Sequence, residues 1–219
     1  MLAGDKLGKI ELVELKQKIA LRVYENEHKN QINYLDFSSS KRTFVSCSNE
    51  TSWKFYDIQQ NNKAVFTCQA AHSDNVKQVE FLPGEDNLVI SGSQDKEIKL
   101  WKVQVGEEEP YQLLSTIKLP EPVEHFSSIT FKGQLLYLVA NGPMISILAV
   151  SDDLSSLKLL STIHAFQKPV LKLAYDKVKE RVIACGLDQQ IKFFELFTEE
   201  DGELQLRLSY KIKLPKPIF

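Results

Sequence analysis

Histidine and aspartate side chains often act as general bases and metal ligands. In this 219-residue sequence they recur at equivalent positions of successive repeats. The histidines precede alternating apolar segments and the aspartates stand in short polar turns: His28, His72 and His164, and Asp5, Asp95 and Asp188. A catalytic or metal site needs such groups together at one point, whereas regular recurrence spreads them over successive units. We therefore predict that they cap turns and form buried hydrogen bonds, with no catalytic, metal or cofactor-binding site.

Other residues that could support catalysis lack the spacing that such chemistry requires. The sequence contains no plausible Ser-His-Asp or Cys-His set and no GxxxxGK[ST] phosphate loop. Cys47, Cys68 and Cys185 stand far apart in apolar segments, which indicates free thiols in a reducing compartment. The net charge of −2 argues against a strongly basic nucleic-acid-binding protein. No apolar stretch reaches the roughly 18–20 residues that span a bilayer, so we expect no membrane partner. Because no catalytic set is present, we also expect no small-molecule substrate.

Short segments in which apolar and polar residues alternate must position these groups. The clearest ones are KIELVEL (9–15), SWKFYDI (52–58), EIKLWKV (97–103), MISILAV (144–150) and IKFFEL (191–196). Their ends recur about every 45 residues, and Gly, Asn, Asp and Pro separate them from similar segments on either side. No segment has a 3.6-residue apolar period, so the pattern predicts an all-β chain of repeated four-stranded units.

The third of these units carries the most specific residues. His72 precedes its first strand, Ser91 and Asp95 lie in SGSQD, and Trp101 ends IKLW. This set resembles the WD40 repeat, in which a His, a Ser or Thr, an Asp and a Trp form a hydrogen-bonded tetrad within one blade of a β-propeller. The resemblance implies the same tetrad here, which would satisfy a buried His and a buried indole N–H together.

The other units resemble the WD40 repeat more weakly. The second has His28 but carries Asn49 and Glu50 in its turn and Tyr56 in place of Trp. The fourth has Leu148-Ala149 where Trp-Asp would stand, and in the fifth His164 is assigned to the histidine position together with Asp188 and Phe194.

The resemblance implies a partial WD40-type β-propeller with four complete four-stranded blades and one incomplete blade, in a single segment over 1–219. We expect the incomplete blade at 1–25, complete blades at 26–70, 71–119, 120–165 and 166–213, and the start of a further blade at 214–219. A closed ring of this type needs about seven or eight blades. We therefore expect part of a longer protein, a truncated gene product, or a subunit whose ring is completed by others.

Four stretches also resemble the U3 small nucleolar RNA-associated protein 15 family: AHSDNVKQVEF, NLVISGSQDKEIKLW, LPEPVEHF and ACGLDQQIKFFE. This resemblance implies a non-catalytic scaffold of the small-subunit processome, located in the nucleolus, that supports pre-18S rRNA processing and rDNA transcription. Its partners would be other WD-repeat subunits and, through local contacts, pre-rRNA or small nucleolar RNA. The alternative is a WD-repeat adaptor of another complex, such as a ubiquitin-ligase substrate receptor or a signalling scaffold.

Partner contacts are expected in the loops before the first strands, because a rigid scaffold concentrates binding residues in its loops. The candidates are four residues of these loops and two lysines near the C-terminal edge that could contact RNA phosphates: His28, Asp74, Glu121 and Phe166, and Lys211 and Lys213.

Overall fold

The computed structural model describes residues 1–60, 62–199 and 202–215. Within these residues the regular secondary structure consists of nineteen β-strands, which form five antiparallel sheets. The prediction of an all-β chain is therefore confirmed. Among the described residues, no helix has the length and apolar composition needed to cross a membrane.

Residues 1–114 form a compact unit, here called unit 1, and its boundary falls inside the last strand of its third sheet. Sheet 1 has three strands: β1 (Leu2–Gly4), β2 (Ile10–Glu14) and β3 (Ile19–Tyr24). Sheet 2 has four strands: β4 (Ile32–Phe37), β5 (Thr43–Ser48), β6 (Trp53–Asp57) and β7 (Phe66–Cys68). Sheet 3 also has four: β8 (Val76–Phe81), β9 (Leu88–Ser93), β10 (Glu97–Val103) and β11 (Tyr111–Lys118).

Residues 115–219 form the second compact unit, unit 2, with two four-stranded sheets. Sheet 4 comprises β12 (Val123–Phe131), β13 (Gln134–Asn141), β14 (Met144–Val150) and β15 (Leu157–His164). Sheet 5 comprises β16 (Val170–Asp176), β17 (Arg181–Gly186), β18 (Gln190–Thr198) and β19 (Leu204–Lys213). The boundaries predicted between repeats stay predictions, and residues 216–219 of the predicted further blade lie outside the described part of the chain.

Apolar side chains between the faces of successive sheets form the cores of both units. In unit 1, Trp53 and Phe55 of sheet 2 pack with Phe81 and Trp101 of sheet 3, and the two indole rings meet edge to face with centroids 6.1 Å apart. In unit 2, residues of β13 and β14 pack against residues of β16 to β19. Because successive strand residues point to opposite faces, the period-2 pattern of the sequence selects which residues enter these cores.

Candidate functional site

The turn between β9 and β10 is tied to the loop before β8 by a series of hydrogen bonds. Trp101 Nε1 donates to Ser91 Oγ over 2.8 Å, and Ser91 Oγ lies 2.8 Å from His72 Nε2. His72 Nδ1 lies 2.9 Å from Asp95 Oδ2. If the His72 ring is neutral and donates from Nδ1 to the Asp95 carboxylate, its Nε2 accepts a hydrogen bond from the Ser91 hydroxyl. The structure thus brings together all four residues of the tetrad implied by the sequence, and each of the four side chains has a hydrogen-bond partner within it.

Charge and burial keep this network in one protonation state. Burial lowers the pKa of His72 and Asp95 opposes this effect, so the ring is held neutral. Burial raises the pKa of Asp95, but a hydrogen bond from the Ser73 N–H, the His72 ring and the Glu97 N–H together lower it. Those two backbone donors lie 2.9 and 3.0 Å from the carboxylate oxygens. Asp95 therefore caps its own turn and anchors the preceding loop.

Sheet 2 contains a variant of the same network with two residues exchanged. His28 Nε2 lies 2.7 Å from Ser46 Oγ, and Ser46 Oγ lies 3.3 Å from the Tyr56 hydroxyl. His28 Nδ1 lies 3.2 Å from Glu50 Oε2, and the Lys29 N–H donates to Glu50 Oε1 over 2.6 Å. Glu50 thus performs the function of Asp95, which sequence reasoning missed because the shift from Asp to Glu hides the shared carboxylate.

Sheets 4 and 5 have apolar side chains at the histidine, serine and tryptophan positions of this network. The register of sheet 5 puts Ala184 and Phe194 where sheet 3 has Ser91 and Trp101. Phe166 stands four residues before β16, as His72 stands four residues before β8, and His164 instead ends β15. The corresponding residues of sheet 4 are Leu119, Val139 and Leu148, all buried. Concerted replacement is expected, because a half-satisfied buried network is less stable than an apolar one.

Sheet 5 has the turn carboxylate of the network although it lacks the histidine. Asp188 accepts the Gln190 N–H over 3.2 Å and the Gln167 N–H over 3.4 Å. Phe166 is buried beneath this turn, and a Cβ on Gly186 would lie 2.6 Å from its ring. Turn capping therefore persists where the rest of the polar network is lost.

One group of side chains has the composition of a metal site. His72, Asp95 and Glu97 offer ligand atoms that all lie within 4.8 Å of one another. Both His72 nitrogens are already hydrogen-bonded within the tetrad, and Glu97 forms an ion pair with Lys99 at 3.1 Å. These contacts account for the proximity of the three groups without an ion.

A family model described as "WD domain, G-beta repeat" matches residues 20–57 and 62–102, which include both polar networks. The chain contains WD40 repeats. The match covers sheets 2 and 3, where the histidine and the serine are present, and the sheets with apolar replacements lie outside it.

Curated relatives of these WD40 repeats include proteins named "U3 small nucleolar RNA-associated protein 15 homolog". The protein from Xenopus tropicalis is 24% identical over 192 residues, which is 88% of this chain and 35% of that protein. The chain thus spans about a third of the length of the curated relative. "Nuclear distribution protein nudF" from Aspergillus niger is 33% identical over 81 residues, which is 36% of this chain and 18% of that protein.

Solved structures confirm the fold expected of WD40 repeats. The β-propeller domain of Cps50 (Swd1) from Myceliophteria thermophila superposes with a TM-score of 0.71 at 14% identity, over 97% of this chain and 68% of that chain. A chain of the mitotic checkpoint complex gives a TM-score of 0.75 at 20% identity, over 90% of this chain and 58% of that chain. The prediction of a WD40-type β-propeller fold is confirmed.

A lysine two residues before the aromatic position of sheets 3 and 5 ties down the loop before the first strand. Lys99 Nζ donates to the carbonyl oxygen of Ala71 over 2.8 Å. Lys192 Nζ donates to that of Ala165 over 2.6 Å and lies 4.3 Å from the centre of the Phe166 ring. These bonds hold two of the loops that were predicted to carry partner contacts, the loop before β8 and the loop before β16.

The predicted partner-binding residues fall into two groups by exposure. His28 and Phe166 are each only 2% exposed, because the first joins a tetrad variant and the second fills the histidine position of sheet 5. Asp74, Lys211 and Lys213 are exposed, and Glu121 is half-buried beside Gly142.

Proposed function

We propose that this chain is a non-catalytic WD-repeat scaffold in ribosome biogenesis. It acts in the nucleolus as a subunit of the small-subunit processome, where it supports processing of the 18S rRNA precursor and transcription of rDNA. Its partners are other WD-repeat subunits and, through local contacts, pre-rRNA or small nucleolar RNA.

The observation that carries this proposal is the extent of the similarity to the U3 small nucleolar RNA-associated protein 15 homologs. It runs over 88% of the chain, whereas the match to nudF covers 36% and the match to "Protein transport protein SEC31" from Saccharomyces cerevisiae, also at 24% identity, covers 76%. A match confined to the repeats that contain the histidine and the serine would reflect the shared WD40 pattern alone. A match that extends through the repeats without histidine or serine supports a relationship to this group of proteins.

A non-catalytic role is supported by what the histidines and turn carboxylates do. Both nitrogens of His28 and of His72 are occupied by hydrogen bonds within their repeats. The His125 ring accepts the Leu173 N–H at Nδ1 over 3.2 Å, and burial, with a contribution from Lys172, lowers its pKa to about 4. Groups held in this way position backbone rather than exchange protons with a substrate.

Direct RNA contact is proposed for Lys211 and Lys213, which lie on the edge strand β19 and are exposed. Lysines at an exposed edge contact phosphates as point charges, and such binding weakens as salt concentration rises. Asp74 and Glu121 are acidic and are proposed instead to contact basic protein segments.

The proposal is tested by affinity purification of the tagged chain, followed by RNA sequencing and mass spectrometry. We expect the U3 small nucleolar RNA and small-subunit processome proteins to be enriched, and depletion of the chain to accumulate unprocessed 18S precursor. Recovery of cullin-type or signalling proteins without this RNA would contradict the proposal and support the adaptor alternative.

Ultraviolet crosslinking tests the RNA contact separately. Lys211→Glu with Lys213→Glu should reduce RNA crosslinking several-fold, whereas Lys177→Glu with Lys179→Glu, in the exposed turn after β16, should leave it unchanged. Equal crosslinking by the two double variants would remove the proposed contact.

A further inference from the structure

Three turns of unit 1 carry basic residues at one end of sheets 1 and 2. They are the β2–β3 turn (15–18), the β4–β5 turn (38–42) and the described part of the β6–β7 turn (58–60 and 62–65). Their basic residues and one arginine of β3 form a group that we call the basic edge: Lys16, Lys18, Arg22, Lys41, Arg42 and Lys63. Arg22 is half-buried, and the other five are exposed.

Hydrogen bonds join these turns. The Ile58 N–H donates to the carbonyl oxygen of Arg42 over 3.0 Å, which connects the β6–β7 turn to the β4–β5 turn. Arg22 Nη1 donates to the carbonyl oxygen of Gln60 over 2.6 Å and to Asn62 Oδ1 over 2.9 Å. These two bonds bring β3 of sheet 1 against the β6–β7 turn of sheet 2.

Strand direction puts the β2–β3 turn at the same end. The Ile32 N–H at the start of β4 donates to the carbonyl oxygen of Asp5 in the β1–β2 turn over 3.1 Å. The β1–β2 turn therefore lies beside the start of β4. Because β1, β2 and β3 are antiparallel, the β2–β3 turn lies at the other end of sheet 1, on the side where β4 ends and the β4–β5 turn begins.

The positive charges of the basic edge are not neutralised within the described residues. Only Arg42 takes part in a salt bridge there, with Asp57 at 3.5 Å, and Arg22 donates to neutral acceptors. The carboxylates that contact these turns each accept a backbone N–H: Glu14, Asp57 and Asp86. Six basic groups thus lie at one end of a chain whose net charge is −2, and such a concentration of charge attracts an anionic partner.

Two of the lysines stand where a turn ordinarily favours glycine or asparagine. Lys18 has a φ of 56° and Lys41 a φ of 55°, in the left-handed region. Asparagine is tolerated there because its short polar side chain bonds to the nearby backbone, whereas lysine has no such compensation. Lysine at both positions indicates that charge, rather than turn geometry, determines the residue type.

The neutral residues of the basic edge favour phosphate groups over a protein or a membrane. Protein interfaces depend on aromatic anchors, and the three turns contain no aromatic residue. A membrane surface needs an apolar face to insert, and Leu15 is the only exposed large apolar residue in the described part of these turns. Their other exposed side chains are amides and hydroxyls, which bond to phosphate and sugar oxygens: Gln17, Ser39, Ser40, Gln59, Gln60 and Asn62.

We propose that the basic edge binds the sugar-phosphate backbone of an RNA helix. This inference rests on the proposed function, in which RNA is a partner, and it adds a surface separate from Lys211 and Lys213. A helix is the form of RNA that fits, because single strands are bound by stacking their bases on aromatic side chains. Arg22 is already held in place by its two hydrogen bonds, and the exposed lysines contact phosphates as point charges.

Fluorescence anisotropy with a labelled RNA duplex measures this binding. The chain should carry Lys211→Gln and Lys213→Gln, which remove the other proposed RNA contact. If the four lysines of the basic edge each neutralise one phosphate, the affinity should fall about 100-fold between about 50 and 200 mM salt. An affinity that does not change with salt would overturn the inference.

A pair of asparagine substitutions tests the two lysines with left-handed backbone. Lys18→Asn with Lys41→Asn should weaken binding at about 50 mM salt at least tenfold and reduce the salt effect to about tenfold, because two phosphate contacts are lost. Asparagine suits both backbone conformations, so thermal unfolding should show no loss of stability.

The matched control has the same change in net charge at the opposite end of sheets 1 and 2. Lys6→Asn with Lys29→Asn alters two exposed lysines, in the β1–β2 turn and in the loop before β4. This variant should bind the duplex as tightly as the parent chain, with the same salt dependence. Equal losses in the two double variants would show that net charge alone matters and would overturn the inference.

Competition identifies the class of partner. The unlabelled RNA duplex should displace the labelled one at a lower concentration of charged groups than polyuridine, polyglutamate or phosphatidylserine vesicles. More effective displacement by any of these three would overturn the inference, because it would assign the basic edge to a single strand, an acidic protein segment or a membrane.

The outcomes separate the inference from the proposed function. If U3 RNA copurifies with the chain while the two asparagine variants bind duplex equally, the inference fails and the proposed function stands. If U3 RNA is absent but Lys18→Asn with Lys41→Asn selectively weakens duplex binding, the proposed function fails and the inference stands.

Discussion

Within unit 1, removal of the Ser91 hydroxyl in sheet 3 should lower the free energy of unfolding more than removal of the equivalent Ser46 hydroxyl in sheet 2. Ser91→Ala leaves Trp101 Nε1 and His72 Nε2 without their 2.8 Å partner, and both residues are at most 5% exposed. A buried polar group left without its partner costs about 1–3 kcal/mol, so the expected loss in the free energy of unfolding for the two groups is about 2–6 kcal/mol.

Ser46→Ala in sheet 2 should cost less, about 1–2 kcal/mol, because its second contact is longer and weaker. That contact joins Ser46 Oγ to the Tyr56 hydroxyl over 3.3 Å, and a hydroxyl can rotate toward another acceptor, whereas an indole N–H cannot.

Urea unfolding followed by tryptophan fluorescence measures both changes, since both tryptophans of the chain, Trp53 and Trp101, lie in unit 1. The exposed Ser73→Ala serves as the control and should change the free energy of unfolding by no more than about 0.5 kcal/mol. A double-mutant cycle of Ser91→Ala with Trp101→Phe should give a coupling energy of about 1–2 kcal/mol. Equal losses for Ser91→Ala and Ser46→Ala, or no coupling, would refute the assignment of these bonds as the source of stability.

Three further predictions concern unit 2 and are measured by hydrogen exchange of its peptides. His125, with a folded pKa of about 4, stays neutral while the unfolded chain takes up a proton below about pH 6.5. Stability therefore falls as pH drops, and His125→Gln should recover up to about 3 kcal/mol at pH 4; an unchanged acid dependence would contradict this. Gly186→Ala places a Cβ 2.6 Å from the Phe166 ring and should cost about 1–3 kcal/mol, and wild-type protection would disprove that crowding. Lys192→Met removes the 2.6 Å bond to Ala165, so the loop before β16 should exchange faster while β18 keeps its protection; unchanged exchange in that loop would show that the lysine does not hold it.

Strand periodicity and the one complete tetrad could be inferred from the amino-acid sequence. Alternation with period 2 is a local property, so β10 and β14 coincide with the segments EIKLWKV and MISILAV. The tetrad of sheet 3 could be inferred because all its residue types are the usual ones at the usual spacing.

Alignment of the degenerate repeats could not be inferred, because it depends on register. His164 is the only histidine near the fifth repeat, so residue type favours it, yet it ends β15, and the four-residue spacing before β16 assigns the position to Phe166. The role of Glu50 could not be inferred from the sequence either. Its longer side chain reaches the His28 ring from a position that the WD40 pattern gives to aspartate.

Residue types and their spacing alone determined that this chain is built of repeated β-sheet units and that residues 20–57 and 62–102 match the WD40 repeat, because alternation and turn chemistry act between neighbours in the chain. Tertiary structure alone decided which side chains are available to partners. It buries His28 and Phe166 and exposes Lys211 and Lys213. The physical reason is that burial depends on the packing between sheets, which the alternation within one strand does not specify.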